Sequence, residues 1–470
     1  MSSEPPDPPG PDALRRHGHA LIDWIADYLE HVEAERIQPD VAPGAIHARL
    51  PAHPPEEAEP LERVLGDLDE VVRPGLTHWQ SPGWFAYFPG NGSVPSILGE
   101  LAAAGLGQQG MLWATSPACT ELEMRMMDWL VELLGLPDEW KTTGPGGGVI
   151  QTTASEATHV ALVAARDRAR GPERAVPLER LVAYGSSQAH SSLEKGARIA
   201  GFDHVRAIDV DDAFAMRPDA LAEAIEADAA RGLSPTFVCS TVGTTGTTAI
   251  DPVRRVGELA RAHGLWHHVD AAYAGTAMLC EELRPHQDGL ELADSYVFNP
   301  HKWMGVGFDC SCFYVADRRP LLEAMSIVPP YLRADVSEDA RVFDYRDWHV
   351  ALGRRFRALK LWFVLRAFGA EGIRARVRAH VRLARELASK LEADPRFSLV
   401  APVPFALVCF RHAGGPEATR ALGVAIDATG HSRITPSEIE GAPFLRVSVG
   451  QITTEARHVE RLWQAIDALA

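Results

Sequence analysis

Apolar positions along the chain follow helical spacing at both ends and a shorter rhythm between them. From Ala13 to about Tyr28, Leu14, Ile22, Ile25 and Ala26, with Leu29 just beyond, predict an amphipathic helix. A proline-rich stretch from Pro51 to Pro60 separates it from a second helical run, Leu61–Val72, which stops before Pro74 and Gly75. Between about residues 93 and 317, short apolar runs alternate with helical stretches. The runs are Leu181–Tyr184, Thr236–Val242, Leu265–Val269, Ser295–Phe298 and Cys312–Val315. Such alternation predicts an α/β domain with a mostly parallel sheet. Farther on, Ile373, Val377, Val381, Ala384, Leu387 and Leu391 return to helical spacing. Strand-like Phe405–Phe410 and Phe444–Val449 follow, then a last helix through Val459, Leu462, Trp463 and Ile466. The expected division is a helical segment over 1–92, with 1–12 without ordered structure, a large α/β domain over 93–360, and a small α+β domain over 361–470.

Charge narrows the partners. Lys plus Arg total 46 against 63 for Asp plus Glu, a net charge of −17, which repels nucleic acid and anionic membrane. No run approaches the ~20 apolar residues of a membrane span. MSSEPPDPPGPD has no basic region followed by an apolar core, so a cytoplasmic protein is expected. The six cysteines are scattered, and Cys310 and Cys312 lack chelating spacing. Reduced, buried thiols are expected, and no metal site. His267 and His268 are adjacent, so they face opposite sides of a strand, which argues against a two-histidine metal site.

Four segments carry candidate chemistry. In the first, Gly146-Gly147-Gly148 leads through Thr152, Thr153, Ala154 and Ser155 into a helix. A glycine-rich turn, hydroxyl residues and a helix start can cradle a phosphate on free N–H groups; the same residues also make an ordinary helix cap. In the second, Asp270 ends an apolar run, where α/β proteins place their sites, and could hold a protonated pyridine nitrogen or serve as a metal or helix-cap carboxylate. In the third, Lys302 sits in Asn299-Pro300-His301-Lys302-Trp303 between apolar stretches. An ammonium is costly there, and forming an imine removes the cost. In the fourth, His190 follows a strand in Ser187-Gln188-Ala189-His190-Ser191-Ser192, placed to stack on a planar ring or simply to serve the loop.

Taken in chain order, phosphate turn, His190, Asp270 and then Lys302, the four segments resemble the pyridoxal-phosphate-dependent decarboxylases of the aromatic amino-acid group. Phe85-Ala86-Tyr87-Phe88-Pro89, Ser116-Pro117-Ala118-Cys119-Thr120-Glu121-Leu122-Glu123 and Leu352-Gly353-Arg354-Arg355-Phe356-Arg357 extend the resemblance from about residue 13 to 470. It implies the aspartate-aminotransferase-like fold (fold type I). It further implies an imine between Lys302 and pyridoxal 5′-phosphate, Asp270 on the pyridinium nitrogen and His190 stacked on the ring. Thr153, Ala154, Ser155, Thr244, Ala272, Asn299 and His301 would complete the cofactor site. Tyr331, on a mobile loop spanning 326–347, would return a proton to the carbanion left by CO2.

The resemblance also implies a homodimer wrapped by its N-terminal helices. The substrate's aromatic side chain would lie against Trp79, Tyr87, Phe88, Leu352 and Gly353, with Gln109 and Met111 reaching in from the neighbouring subunit. Gln109 and Met111 depart from the apolar and aromatic residues usual in the family. Gly353 resembles the members that accept indoles and catechols. An aromatic aldehyde synthase, which oxidises the same carbanion with O2, typically replaces the loop tyrosine or alters the histidine; Tyr331 and His190 argue against it. An aminotransferase would need a substrate-carboxylate arginine, for which Arg446 in a strand pattern is a poor match. A non-catalytic cofactor-binding protein would lack Lys302 or Asp270.

Overall fold

The apolar runs between residues 147 and 315 assemble into one seven-stranded sheet in the computed structural model, which describes residues 9–90, 92–327 and 342–470. Its strands are β1 (Gly147–Gln151), β2 (Leu181–Ser186), β3 (His204–Ile208), β4 (Ser234–Thr241), β5 (Trp266–Asp270), β6 (Ser295–Phe298) and β7 (Ser311–Val315), in the order β1-β7-β6-β5-β4-β2-β3. Strands β3, β2, β4, β5 and β6 pair in parallel, and β7 runs antiparallel to both its neighbours, β6 and β1. Alternate side chains enter different layers, as a sheet covered on both faces demands. On β1, Val149 packs with the helix Ala154–Arg170, whereas Ile150 packs with the helix Pro117–Leu134.

Strands β1 and β3 were not among the expected runs. Gly147 and Gly148 read as part of a turn but belong to β1, and close packing explains them. A Cβ at Gly148 would lie 2.4 Å from Met127 Cε and 2.6 Å from the Tyr314 ring; one at Gly147 would lie 2.7 Å from the Trp348 ring. The glycines let two aromatic layers approach the strand. The candidate phosphate turn is therefore only the segment after β1, residues 152–155.

The C-terminal region forms a four-stranded antiparallel sheet, β10-β11-β9-β8, from β8 (Phe397–Leu399), β9 (Leu407–His412), β10 (Thr435–Ile439) and β11 (Ala442–Ser448). Val408, Phe410 and Leu445 share one apolar cluster with Met126, Leu130 and Tyr296, so one core ties this sheet to the large one. The helix Arg357–Ala393 crosses the expected division at 360/361 and breaks at Gly369, whose φ of 63° suits glycine. At the other end, the helix Pro11–His31 buries none of its residues, and Leu14 is 72 % exposed. No helix among the described residues is long and apolar enough to cross a membrane.

Candidate active site

Five strand ends converge on one cavity of about 200 Å³. Its lining includes Thr153, Ala154 and Ser155 after β1, His190 after β2, Asp270 and Ala272 at the end of β5, and Asn299, His301 and Lys302 after β6. This lies at the carboxyl ends of the strands, where open α/β sheets bind ligands.

Each group is held by local backbone chemistry. Thr153 caps the helix that follows: its Oγ1 accepts from Glu156 N at 3.3 Å, while the N–H groups of Ala154 and Ser155 take no hydrogen-bond partner among the described residues. Those two free donors at a helix start fit a phosphate. Asp270 is 6 % exposed; its Oδ1 accepts from Ala272 N at 2.9 Å, and no described hydrogen bond occupies Oδ2. Ser311 Oγ donates to Asn299 Oδ1 at 2.7 Å, and Cys310 N donates to His301 Nδ1 at 3.0 Å. Ser192 N donates to His190 Nδ1 at 3.1 Å, which leaves the Nε2 side of that ring to carry the proton.

The electrostatics suit a reactive amine. Burial pushes the Lys302 ammonium below its ordinary pKa; Asp270 opposes the shift and Arg446 adds to it. Loss of hydration lowers His190, with Asp270 opposing and Lys302 assisting. Burial brings His301 down to about 3, so it is neutral. A free donor pair, a buried carboxylate, a buried lysine whose pKa is lowered and a histidine together fit pyridoxal 5′-phosphate.

Phe88 closes one wall. Its ring stacks on Tyr273 with centroids 3.9 Å apart, and Tyr273 stacks on Trp303 at 4.9 Å. Lys302 Nζ lies 5.1 Å from the Phe88 centroid and the Arg446 guanidinium 5.4 Å from it. Arg446 is thus nearer the site than its strand pattern implied, yet it is not in the cavity lining; its Nε is spent on Gly246 O at 2.9 Å. Beside Phe88, Tyr87 adopts a φ of 54°, a left-handed backbone that a bulky residue rarely takes, and it stacks on Trp79 at 5.6 Å.

Gln109, Met111, Leu352 and Gly353 form a separate patch outside the cavity lining. Gly110 N donates to Arg354 O at 3.1 Å, Arg354 N to Gln109 Oε1 at 2.8 Å and Arg346 N to Met111 O at 3.0 Å. The arginines of the Leu352–Arg357 motif anchor this patch. Arg354 pairs with Glu123 at 2.6 Å, both nearly fully buried, and Arg357 pairs with Asp309 at 2.9 Å. Gln109 and Met111 are thus held close to Leu352 and Gly353 within one chain.

Thr244 is the one expected cofactor contact outside the lining. Its Oγ1 accepts from Ala249 N at 3.0 Å within its own turn, and Thr241, Gly243 and Thr245 line the cavity instead. Sequence reasoning missed these three, although their place just after an apolar run was the available signal. Tyr331 and most of the 326–347 loop lie outside the described residues. Among the described residues, no group of three or more His, Cys, Asp or Glu side chains could hold a metal.

The model of the pyridoxal-dependent decarboxylase conserved domain matches residues 43–413. The chain belongs to the pyridoxal-dependent decarboxylases. Within that family it is 44 % identical to an aromatic-L-amino-acid decarboxylase of Cavia porcellus, the match covering 97 % of each chain. It is also 44 % identical to a phenylacetaldehyde synthase of Arabidopsis thaliana, over 97 % of this chain and 95 % of that one. The structure of Oryza sativa TDC with PLP and tryptamine superimposes with a TM-score of 0.96 at 40 % identity, over 98 % of both chains. The chain is a pyridoxal-phosphate-dependent decarboxylase with the fold of its family.

Proposed function

We propose that this decarboxylase removes the α-carboxylate of an aromatic L-amino acid (tryptophan, 5-hydroxytryptophan, DOPA, tyrosine or phenylalanine) as CO2 and releases the arylalkylamine. The observation that carries the substrate class is the aromatic rim: Trp79 and Tyr87 stack on one another, 39 % and 52 % exposed, beside Phe88 in the cavity wall. Exposed, pre-stacked rings gain most by covering a third ring.

Bound pyridoxal phosphate supplies an electron sink for the pair left by CO2. The chain's own groups do the rest. Lys302 would hold the cofactor through its side-chain nitrogen. Asp270, whose Oδ2 no described hydrogen bond occupies, would keep a positive charge on the ring nitrogen, and His190 would cover the ring face. Thr153, Ala154 and Ser155 hold the phosphate, Ala272, Asn299 and His301 frame the ring, and Tyr331 donates the proton to the substrate's α-carbon. Thr244 acts by shaping the turn that presents Thr245.

The protein works as a homodimer in which the patch carrying Gln109, Met111, Leu352 and Gly353 closes the partner's cavity. Exposed Val94, Leu98, Leu101 and Leu106 on the helix Val94–Leu106 supply apolar area for that contact. Six unpaired, buried cysteines suit the cytoplasm. Residues 1–92, 93–360 and 361–470 serve as dimer wrap, cofactor domain and small α+β domain, the last two sharing the helix Arg357–Ala393.

A second reading, the oxidative aldehyde synthase, is favoured by the equal 44 % identity to the Arabidopsis enzyme. Tyr331→Phe decides between the two, because it keeps the ring and deletes the donor. Wild type makes amine almost exclusively. The variant still releases CO2 but consumes O2 and accumulates aldehyde. Amine formation at an undiminished rate would show that the proton comes from elsewhere, with His190 next in line.

A further inference from the structure

Glu156 sits in the first turn of the helix that begins at Ala154, beside the two free N–H groups assigned to the phosphate. A carboxylate there is a competitor: it would be drawn to those donors and would repel a dianion. The structure turns it away. Glu156 Oε2 accepts from Thr152 N at 2.9 Å and Thr152 Oγ1 at 2.6 Å, and Oε1 lies 3.5 Å from His349 Nδ1. Burial raises the Glu156 pKa, but hydrogen bonds from His349 and Thr152 outweigh it and hold the group at about 2, so it is charged at neutral pH.

His349 has no other evident purpose. It is 6 % exposed, its Nε2 is buried without a hydrogen-bond partner, and Glu156 is its side chain's one described polar contact. Its position is set from β1, since Gln151 Nε2 donates to Trp348 O at 3.2 Å. The ring is thus anchored at the same strand end that leads into the phosphate turn. We propose that Glu156 and His349 are positioning residues for the cofactor phosphate, His349 holding the Glu156 carboxylate off the helix start so that a phosphate monoester can occupy it.

The inference rests on the assignment of residues 153–155 to the phosphate, and the test separates the two. Apo-protein is titrated with pyridoxal 5′-phosphate and, in parallel, with pyridoxal, following visible absorption. His349→Ala weakens pyridoxal 5′-phosphate binding on the order of tenfold and leaves pyridoxal unchanged. His349→Gln, which keeps a donor facing the carboxylate, recovers most of the loss. Adding Glu156→Gln to His349→Ala also recovers it, because the uncompensated charge is gone. Binding within twofold of wild type for His349→Ala, equal losses for both ligands, or no rescue by Glu156→Gln overturns the proposal. Wild type binding both ligands equally would instead overturn the phosphate assignment itself.

Discussion

At the strand ends, Asp270, Asn299 and His301 are 3–6 % exposed, whereas Trp79, Tyr87 and Leu352, outside the cavity lining, are 39–52 % exposed. The buried set is positioned by hydrogen bonds within one chain: Asp270 Oδ1 by Ala272, Asn299 by Ser311, His301 by Cys310. The exposed set has aromatic and aliphatic surface facing water, which a folded chain leaves uncovered where something else is to cover it. Chemistry and recognition are thus built to different degrees of completeness in a single chain. The cavity's polar groups are preorganised by hydrogen bonds within the chain, and the surfaces proposed to choose the substrate remain open.

Removing the buried amine tests the first half most severely. Lys302→Ala should abolish both turnover and the visible absorption of lysine-bound cofactor. The apo-protein's Tm should hold or rise, because a desolvated amine is gone; an unchanged spectrum would refute the assignment. Asp270→Ala should retain some cofactor but lose about a thousandfold in kcat, since the ring nitrogen loses its buried counter-charge. Near-wild-type turnover would mean that the carboxylate does not act on the ring.

The recognition half should yield smaller effects, in preference rather than in rate. A Cβ at Gly353 would meet Gln109 Nε2 at 3.4 Å, so a serine there crowds the patch. Gly353→Ser should lower the kcat/KM ratio for tryptophan over tyrosine about tenfold, the usual scale for one added group in a pocket. A flat ratio would remove Gly353 from selectivity and leave Gln109 and Met111 as the candidates.

The mostly parallel sheet was legible because β2, β5, β6 and β7 are buried throughout and β4 over its last six residues, each set off by polar, helix-forming sequence. Strand β3 escaped notice because its positions are half-exposed, and β1 because its first two residues are glycine. Short β8 and partly exposed β10 were missed for want of a continuous apolar run.

The sequence by itself determined the alternation that makes an α/β fold and the order in which Ser155, His190, Asp270 and Lys302 follow strand ends. Both are local properties: a strand's end and the residue after it are neighbours in the chain. Only the tertiary structure decided what distant segments do to each other. Arg354 meets Gln109 across 245 positions and Glu123 across 231, and these contacts make one patch of two expected halves. It also decided that the glycines before Val149 serve packing, that the Thr244 side chain turns into its own loop, and that His349 faces Glu156. In each case the outcome depends on which side chain the fold brings to within a few ångströms, and no spacing along the chain carries that information.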